Sequence, residues 1–244
     1  MIGLHPALPP CDTAVVVVPG IAGTARAVRP LTAALAPVPV SVAVRRPSPA
    51  GRGGSLPIPR RAEELAARLT AGPLPARLIV AGHSLGAYIA LELVRLLALS
   101  APATACTLVV AAQLPPHRLP LHADDGFDDA TVLRKVTGGT APDGLAGDPA
   151  LLGVLIDQWR TDYRAIDAYK PEPAALTDAP VHVWTATGDP SAPYGEGTAD
   201  WGRYTTGPVH REEFDGSHDF LFTRVAPVAD RLRQLTARPI EVCP

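Results

Sequence analysis

Short apolar runs alternate with helical patterns along the first half of the chain. The runs are too short for helices and rich in Val, Leu and Ile, as expected of buried parallel strands. They fall at residues 14–18, 38–44, 77–80 and 107–112. Apolar residues at helical spacing occupy the intervals at residues 24–36, 60–70 and 89–97. This alternation predicts an α/β fold with a mostly parallel sheet flanked by helices.

The alternation stops after the strand at 107–112 and resumes much later. Residues 114–177 contain Pro-rich turns, an acidic run and helical patterns at 131–136, 149–159 and 161–169, with no convincing strand. Strand patterns return at 181–186 and 209–214, and a closing helix is predicted at 219–235. We therefore interpret residues 1–244 as one domain, a length that a single α/β domain often reaches, with a helical lid inserted at about 114–177.

A G-x-S-x-G pattern, formed by Gly82, Ser84 and Gly86, lies between a predicted strand and a predicted helix. This context is typical of a nucleophile elbow, a strained turn that lifts a serine hydroxyl out of the sheet towards a base. Ser84 is thus the candidate nucleophile. The alternative is a tight turn in which a small Ser84 only allows the helix and strand to pack closely.

An elbow of this kind needs a general base, and on this fold the base follows the last strand. His218 lies there, in a Gly-containing loop just before the closing helix. A purely structural histidine remains the alternative. The other histidines fit worse. His5 is terminal, His117 and His122 lie in the insertion, His182 is inside a strand, and His83 faces away from the elbow.

A carboxylate must orient the base, and Asp189 directly follows the predicted strand at 181–186. It would fix the imidazole tautomer and stabilise the imidazolium formed during catalysis. Asp200 and Asp215 are alternatives. The surrounding Gly188-Asp189-Pro190 is also an ordinary turn signature.

An oxyanion hole requires backbone N–H groups aimed at the developing negative charge. Leu85, the residue after the nucleophile, is expected to supply one. The loop after the strand at 14–18 is expected to supply the other, from Ile21 or from the neighbouring Gly20. This loop has neither a complete G-x-G-x-x-G pattern nor a Walker lysine, which disfavours a phosphate cradle.

The charge and the cysteine content of the chain indicate which partners and which cellular compartment to expect. The formal net charge of −2 over 244 residues argues against a nucleic-acid or membrane-surface protein. Cys11, Cys106 and Cys243 are scattered and suggest neither a disulfide framework nor a zinc site, which fits a reducing cytoplasm. No signal peptide or membrane span is predicted.

Several segments together resemble the type II thioesterases that accompany polyketide and nonribosomal peptide synthetases. The resemblance covers most of the chain and is carried by the residues at 19–24, 82–87, 160–169, 188–190 and 214–218. Departures from the family pattern affect the oxyanion loop, Leu85, Ser217 and a short segment around Asp189. They bear on oxyanion geometry and acyl preference more than on the three candidate catalytic residues.

The resemblance implies an α/β-hydrolase fold and hydrolysis of an acyl or aminoacyl thioester through an acyl-Ser84 intermediate. The substrate would be carried on the phosphopantetheine arm of an acyl or peptidyl carrier protein, and no metal or organic cofactor would be needed. We expect a free-standing protein, because no carrier segment precedes the first strand, and we also expect it to be a monomer.

The resemblance also implies that the role of the enzyme is editing. The alternatives to an editing thioesterase are an esterase with the same residues, a terminal thioesterase domain and a non-catalytic binding module. Arginines at 45, 46, 52, 60 and 61 could guide docking of an acidic carrier, although we interpret them as a solvated face.

Overall fold

A seven-stranded sheet forms the centre of the molecule. The structure is a computed structural model, and it describes residues 2–21, 23–45, 56–119, 128–137, 148–174 and 176–237. The strands are β1 Ile2–His5, β2 Thr13–Val18, β3 Val40–Arg45, β4 Arg77–His83, β5 Ala105–Ala111, β6 Val181–Ala186 and β7 Val209–Phe214. Their order across the sheet is β1-β3-β2-β4-β5-β6-β7. Only β1 pairs antiparallel, against β3, so the predicted mostly parallel sheet is confirmed.

Helices cover both faces of the sheet. They are α1 Ala25–Leu35, α2 Ile58–Leu69, α3 Leu85–Ser100, α4 Asp129–Thr137, α5 Pro149–Ala168, α6 Glu196–Ala199, α7 Phe220–Thr223 and α8 Val225–Ala237. Val16 and Val18 of β2 belong to the core shared with α2 and α3, whereas Val15 and Val17 belong to the core shared with α1 and α8. Burial of both faces explains why the strands read as continuous apolar runs instead of alternating patterns.

Three expectations about the elements are corrected. The short edge strand β1 was not predicted, because four residues containing Gly3 give little pattern. The helical patterns at 149–159 and 161–169 form the single 20-residue helix α5, since no Pro or Gly interrupts the chain between them. The closing helix is divided into α7 and α8, because Pro227 lacks the N–H that a continuous helix would use there.

The predicted insertion holds α4 and α5, which pack on each other around Val132, Ile156 and Trp159. We call these three residues the lid cluster. The rest of the insertion, including residues 124–127 of the acidic run, lies largely outside the described residues. The C-terminal part of α5 packs on the main core through Ile166, and Tyr169, the residue that follows the helix, packs there as well.

Two polar contacts join α5 to the core helices. The Arg61 guanidinium on α2 forms a buried ion pair with Asp162 on α5 at 2.7 Å. The Tyr169 hydroxyl, just after α5, donates to the buried carboxylate of Glu92 on α3 at 2.8 Å. Arg61 therefore does not belong to a solvated face, whereas Arg60 is exposed and pairs with Glu63. The Arg45 side chain and residues 46 and 52 lie outside the described residues.

Within the described ranges, none of the helices is both long enough and apolar enough to cross a membrane. The same part of the chain holds no group of three or more His, Cys, Asp or Glu side chains arranged for a metal ion. Cys11 and Cys106 are free thiols, and Cys243 lies outside the described residues.

Candidate active site

The loops after β4, β6 and β7 meet at one edge of the sheet, because the carboxyl ends of parallel strands all lie at that edge. Two backbone hydrogen bonds join the second and third of these loops. Thr187 N–H donates to the Phe214 carbonyl at 2.9 Å, and Gly188 N–H donates to the Gly216 carbonyl at 2.8 Å. The loop carrying Asp189 is thereby held against the loop carrying His218.

Ser84 lies at the turn between β4 and α3 with φ 52° and ψ −125°. A non-glycine residue at positive φ is strained by about 1–3 kcal/mol and persists only where its surroundings hold it. Here the Ser84 N–H donates to the Ala111 carbonyl at 2.9 Å. A side chain at Gly86 would collide with the carbonyl oxygen of Val18, which explains why the turn requires glycine at that position.

His218 and Asp189 form a directed pair. The Nδ1 atom of His218 lies 2.8 Å from Oδ2 of Asp189. Because a carboxylate only accepts, Nδ1 carries a proton, and in the neutral imidazole Nε2 is then left with its lone pair. The Asp189 side chain is 1% exposed and that of His218 is 46% exposed, so the carboxylate is buried while the imidazole reaches solvent.

Burial by itself would raise the pKa of the Asp189 carboxyl. Hydrogen bonds from His218 and Ser191 outweigh that effect and hold this pKa below its usual value. The carboxylate is therefore ionised at neutral pH and available to orient the imidazole. No hydrogen bond joins the Ser84 hydroxyl to the His218 ring among the described residues; such contacts often tighten only when substrate binds.

Ser191 is a member of this cluster that sequence reasoning missed. Its hydroxyl donates to Oδ1 of Asp189 at 2.5 Å, and its N–H donates to the same oxygen at 3.0 Å. The hydroxyl oxygen also lies 3.2 Å from Nδ1 of His218. The Asp-Pro-Ser sequence could have indicated the backbone bond, since Asp commonly accepts from the N–H two residues on.

The two alternative carboxylates lie elsewhere. Asp200 accepts from Arg118 at 2.6 Å and lies 3.2 Å from Nε2 of His117. Asp215 pairs with Arg224 at 3.4 Å. Neither contacts His218 within the described structure, so the geometry favours Asp189 as its partner.

The candidate oxyanion donors lie close to Ser84. Leu85 begins α3, so its N–H has no partner within the helix. A side chain at Gly20 would lie only 2.9 Å from the Cβ of Ser84, which shows how closely that loop passes the serine. The neighbouring Ile21 packs its side chain against the lid cluster. The structure leaves both Ile21 and Gly20 as candidates for the second donor, and Ala22 lies outside the described residues.

His83, which the sequence disfavours as the base, contacts His218. Its Nε2 atom lies 2.6 Å from the backbone carbonyl oxygen of His218. The two imidazole rings meet edge to face with centroids 5.0 Å apart.

The site thus combines a hydroxyl at a strained turn, a buried carboxylate paired with a half-exposed imidazole, and backbone N–H groups beside the hydroxyl. These are the components that acyl transfer through a serine requires.

Similarity to known proteins agrees with this chemistry. Residues 13–236 match the family model described as "Thioesterase domain". "Thioesterase PikA5" of Streptomyces venezuelae is 32% identical over 164 residues, which cover 65% of this chain and 58% of that protein. The "Probable cadicidin biosynthesis thioesterase" of Streptomyces griseus is 29% identical over 158 residues, covering 63% of this chain and 42% of that protein. The chain thus matches 58% and 42% of the lengths of these two curated relatives.

Solved structures share the fold over most of the chain. RedJ, a thioesterase from the prodiginine biosynthetic pathway in Streptomyces coelicolor, has a TM-score of 0.71 and 28% identity, covering 91% of this chain and 88% of its own. YbtT, a type II thioesterase from the yersiniabactin pathway, has a TM-score of 0.79 and 22% identity, covering 97% and 98%. The predicted α/β-hydrolase fold is confirmed.

Proposed function

Since the chain belongs to the thioesterase domain family, we propose that it hydrolyses acyl or aminoacyl thioesters held on the phosphopantetheine arm of acyl or peptidyl carrier proteins. The observation that carries the proposal is the pairing of the buried Asp189 carboxylate with the His218 imidazole, at the same sheet edge as the strained Ser84 turn. Relatives named as thioesterases, among them YbtT from a combined nonribosomal peptide and polyketide (NRPS/PKS) pathway, support the carrier-bound substrate.

In the proposed first half-reaction, the Ser84 hydroxyl attacks the thioester carbonyl while Nε2 of His218 takes its proton. Asp189 stabilises the imidazolium through the Nδ1–H bond. The N–H groups of Leu85 and of Ile21 or Gly20 would donate to the oxyanion. Collapse breaks the C–S bond, the His218 imidazolium gives its proton to the thiolate, and the acyl group remains on Ser84.

In the second half-reaction, a water molecule gives a proton to Nε2 of His218 and attacks the acyl-Ser84 ester. The resulting tetrahedral intermediate releases the carboxylic acid as the proton returns to the Ser84 oxygen. Every proton in both halves passes through His218, so the proposed cycle uses no metal or organic cofactor. We further propose that the protein is a cytoplasmic monomer. Its partners would be carrier proteins, and it would bind neither nucleic acids nor membranes.

The proposal is tested by comparing two substrates with the same short acyl group, one as a carrier-protein thioester and one as a p-nitrophenyl ester. Wild type and Ser84→Ala are assayed on both, by release of the free carrier thiol and of nitrophenolate. We expect a higher kcat/KM for the carrier thioester in wild type and a loss of at least about 10³-fold in Ser84→Ala.

Faster cleavage of the simple ester would indicate a general esterase instead. A product-releasing enzyme would hydrolyse or cyclise a long acyl chain in preference to the short one. If neither substrate shows Ser84-dependent turnover, the chain is a binding module on a hydrolase scaffold.

A further inference from the structure

We propose that His83 is a positioning residue, which holds the loop bearing His218 in place through a hydrogen bond to that loop's backbone. The inference rests on the proposed roles of Ser84 and His218. It concerns how the base is held at the nucleophile, and it assigns His83 no contact with substrate.

The hydrogen bond fixes the direction in which His83 acts. Nε2 of His83 lies 2.6 Å from the carbonyl oxygen of His218. A carbonyl oxygen only accepts, so Nε2 must carry the proton and Nδ1 must be bare. The bare Nδ1 is buried and has no hydrogen-bond partner among the described residues. His83 is 6% exposed, so water cannot readily replace this contact.

The ring also fills the space beneath the loop. It meets the His218 ring edge to face with centroids 5.0 Å apart, and it meets the Phe222 ring in the same way at 5.0 Å. Phe222 lies on α7, the helix that follows the loop. His83 therefore contacts the candidate base, its backbone and the helix behind it.

The His83 ring is neutral, and still a hydrogen-bond donor, at neutral pH. Burial, and to a smaller extent the nearby His218, lower the pKa of His83 to about 4, against weaker opposing effects of the His218 carbonyl, Asp189 and Asp219. A group with this pKa neither shuttles protons nor adds charge at neutral pH. Its contribution is therefore geometric.

Because of the position of His83 in the chain, this hydrogen bond joins the two parts of the site. His83 is the last residue of β4 and directly precedes Ser84, whereas His218 lies 135 residues away. One hydrogen bond thus joins the strand that holds the nucleophile to the loop that holds the base. Because a misplacement of about 1 Å can cost on the order of 10²-fold in rate, such a bond affects kcat more than substrate binding.

A pair of variants of similar size separates the hydrogen bond from packing. In His83→Gln, the amide N–H can still donate to the His218 carbonyl; in His83→Met, no donor remains. Two rates are measured on folded protein: kcat and KM for the carrier thioester, and the labelling of Ser84 by a fluorophosphonate. Labelling reports activation of the serine whatever acyl group the enzyme prefers, and Ser84→Ala provides its blank.

We expect His83→Met to lose about tenfold or more in kcat and in labelling rate, with KM within twofold of wild type. We expect His83→Gln to stay within about threefold of wild type in both. Equal losses in the two variants, or no loss in either, would overturn the proposal. Strong labelling without thioester turnover in wild type would overturn the proposed function while leaving this inference to be judged on labelling alone.

A measurement on the wild-type protein keeps the proposal falsifiable even if His83→Met does not fold. The ¹⁵N shifts of the His83 ring distinguish its tautomers. The proposal requires the neutral Nε2–H form from pH 6 to 8. A neutral Nδ1–H form, or a protonated ring, would contradict it.

Discussion

At the scale of single residues, the Ser191 hydroxyl is the least expected contributor to the site. We predict that Ser191→Ala raises the pKa of Asp189 and lowers kcat about three- to tenfold with little change in KM, because the carboxylate loses one hydrogen bond but keeps those from the Ser191 N–H and His218. Kinetics on the carrier thioester measure the effect. Ser217→Ala is the matched control, because the Ser217 hydroxyl bonds Asp219 instead of Asp189. Equal losses in both variants would remove Ser191 from the site.

His83 gives the stability of the protein a pH dependence of known sign. In the unfolded chain its pKa returns to about 6.5, whereas in the fold it is about 4, so the unfolded state binds a proton that the native state does not. This difference lowers the free energy of unfolding as pH falls below about 6.5, by about 2 kcal/mol between pH 7 and pH 5. The charges that face His83 are those of His218, Asp189 and Asp219.

Urea unfolding at pH 7 and pH 5 checks this prediction. Between pH 7 and pH 5, the free energy of unfolding of His83→Gln should fall by about 2 kcal/mol less than that of wild type. All other titrating groups are the same in the two proteins, so the difference reports His83. The same loss in both proteins would show that His83 does not titrate below its normal range in the folded state.

The residues that sequence could predict are those whose roles depend on their place in chain order. Ser84 follows β4 in a recognisable motif, and Asp189 and His218 follow β6 and β7 at the same edge; their catalytic roles stay predictions. The bonds from Ser191 to Asp189 lie within one loop, at a spacing that the Asp-Pro-Ser sequence could have indicated. His83 could not be found in this way, because its contact with His218 depends on how the end of β4 and a distant loop approach each other. No spacing in the sequence encodes that distance.

At the scale of elements, the buried pair Arg61–Asp162 joins α2 of the core to α5 of the insertion. We predict that Asp162→Ala lowers the free energy of unfolding by about 3 kcal/mol, because it leaves the Arg61 charge buried without its carboxylate. Urea unfolding measures the change. Glu63→Ala is the matched control: it breaks the exposed pair with Arg60 and should cost less than about 1 kcal/mol. Similar losses from the two variants would contradict the buried pair.

Most elements of the sheet were predictable because parallel strands buried on both faces are apolar throughout and short. The element errors have local causes. The edge strand β1 has too few residues for a pattern, and α5 contains no residue that marks where two helical patterns join. Arg61 is expected at the surface because it is charged, but it lies on the buried side of α2. Only the position of Asp162 on a distant helix reveals its partner.

At the scale of the whole molecule, the sheet brings together residues from three widely separated parts of the chain. Ser84, Asp189 and His218 follow β4, β6 and β7, and the alternation of strands and helices alone predicts that these strand ends share an edge. The contact of the lid cluster with Ile21 was not predictable, because the insertion carries no strand register that would fix its position.

The central claim is that Ser84 accepts an acyl group from a carrier-bound thioester. Rapid quenching of wild type with an acyl-carrier thioester, followed by intact-mass and peptide analysis, tests it directly. The account predicts a transient mass increase equal to one acyl group, located on the peptide containing Ser84 and absent in Ser84→Ala. Thioester hydrolysis that proceeds without an adduct on Ser84, or that continues at the wild-type rate in Ser84→Ala, would contradict it.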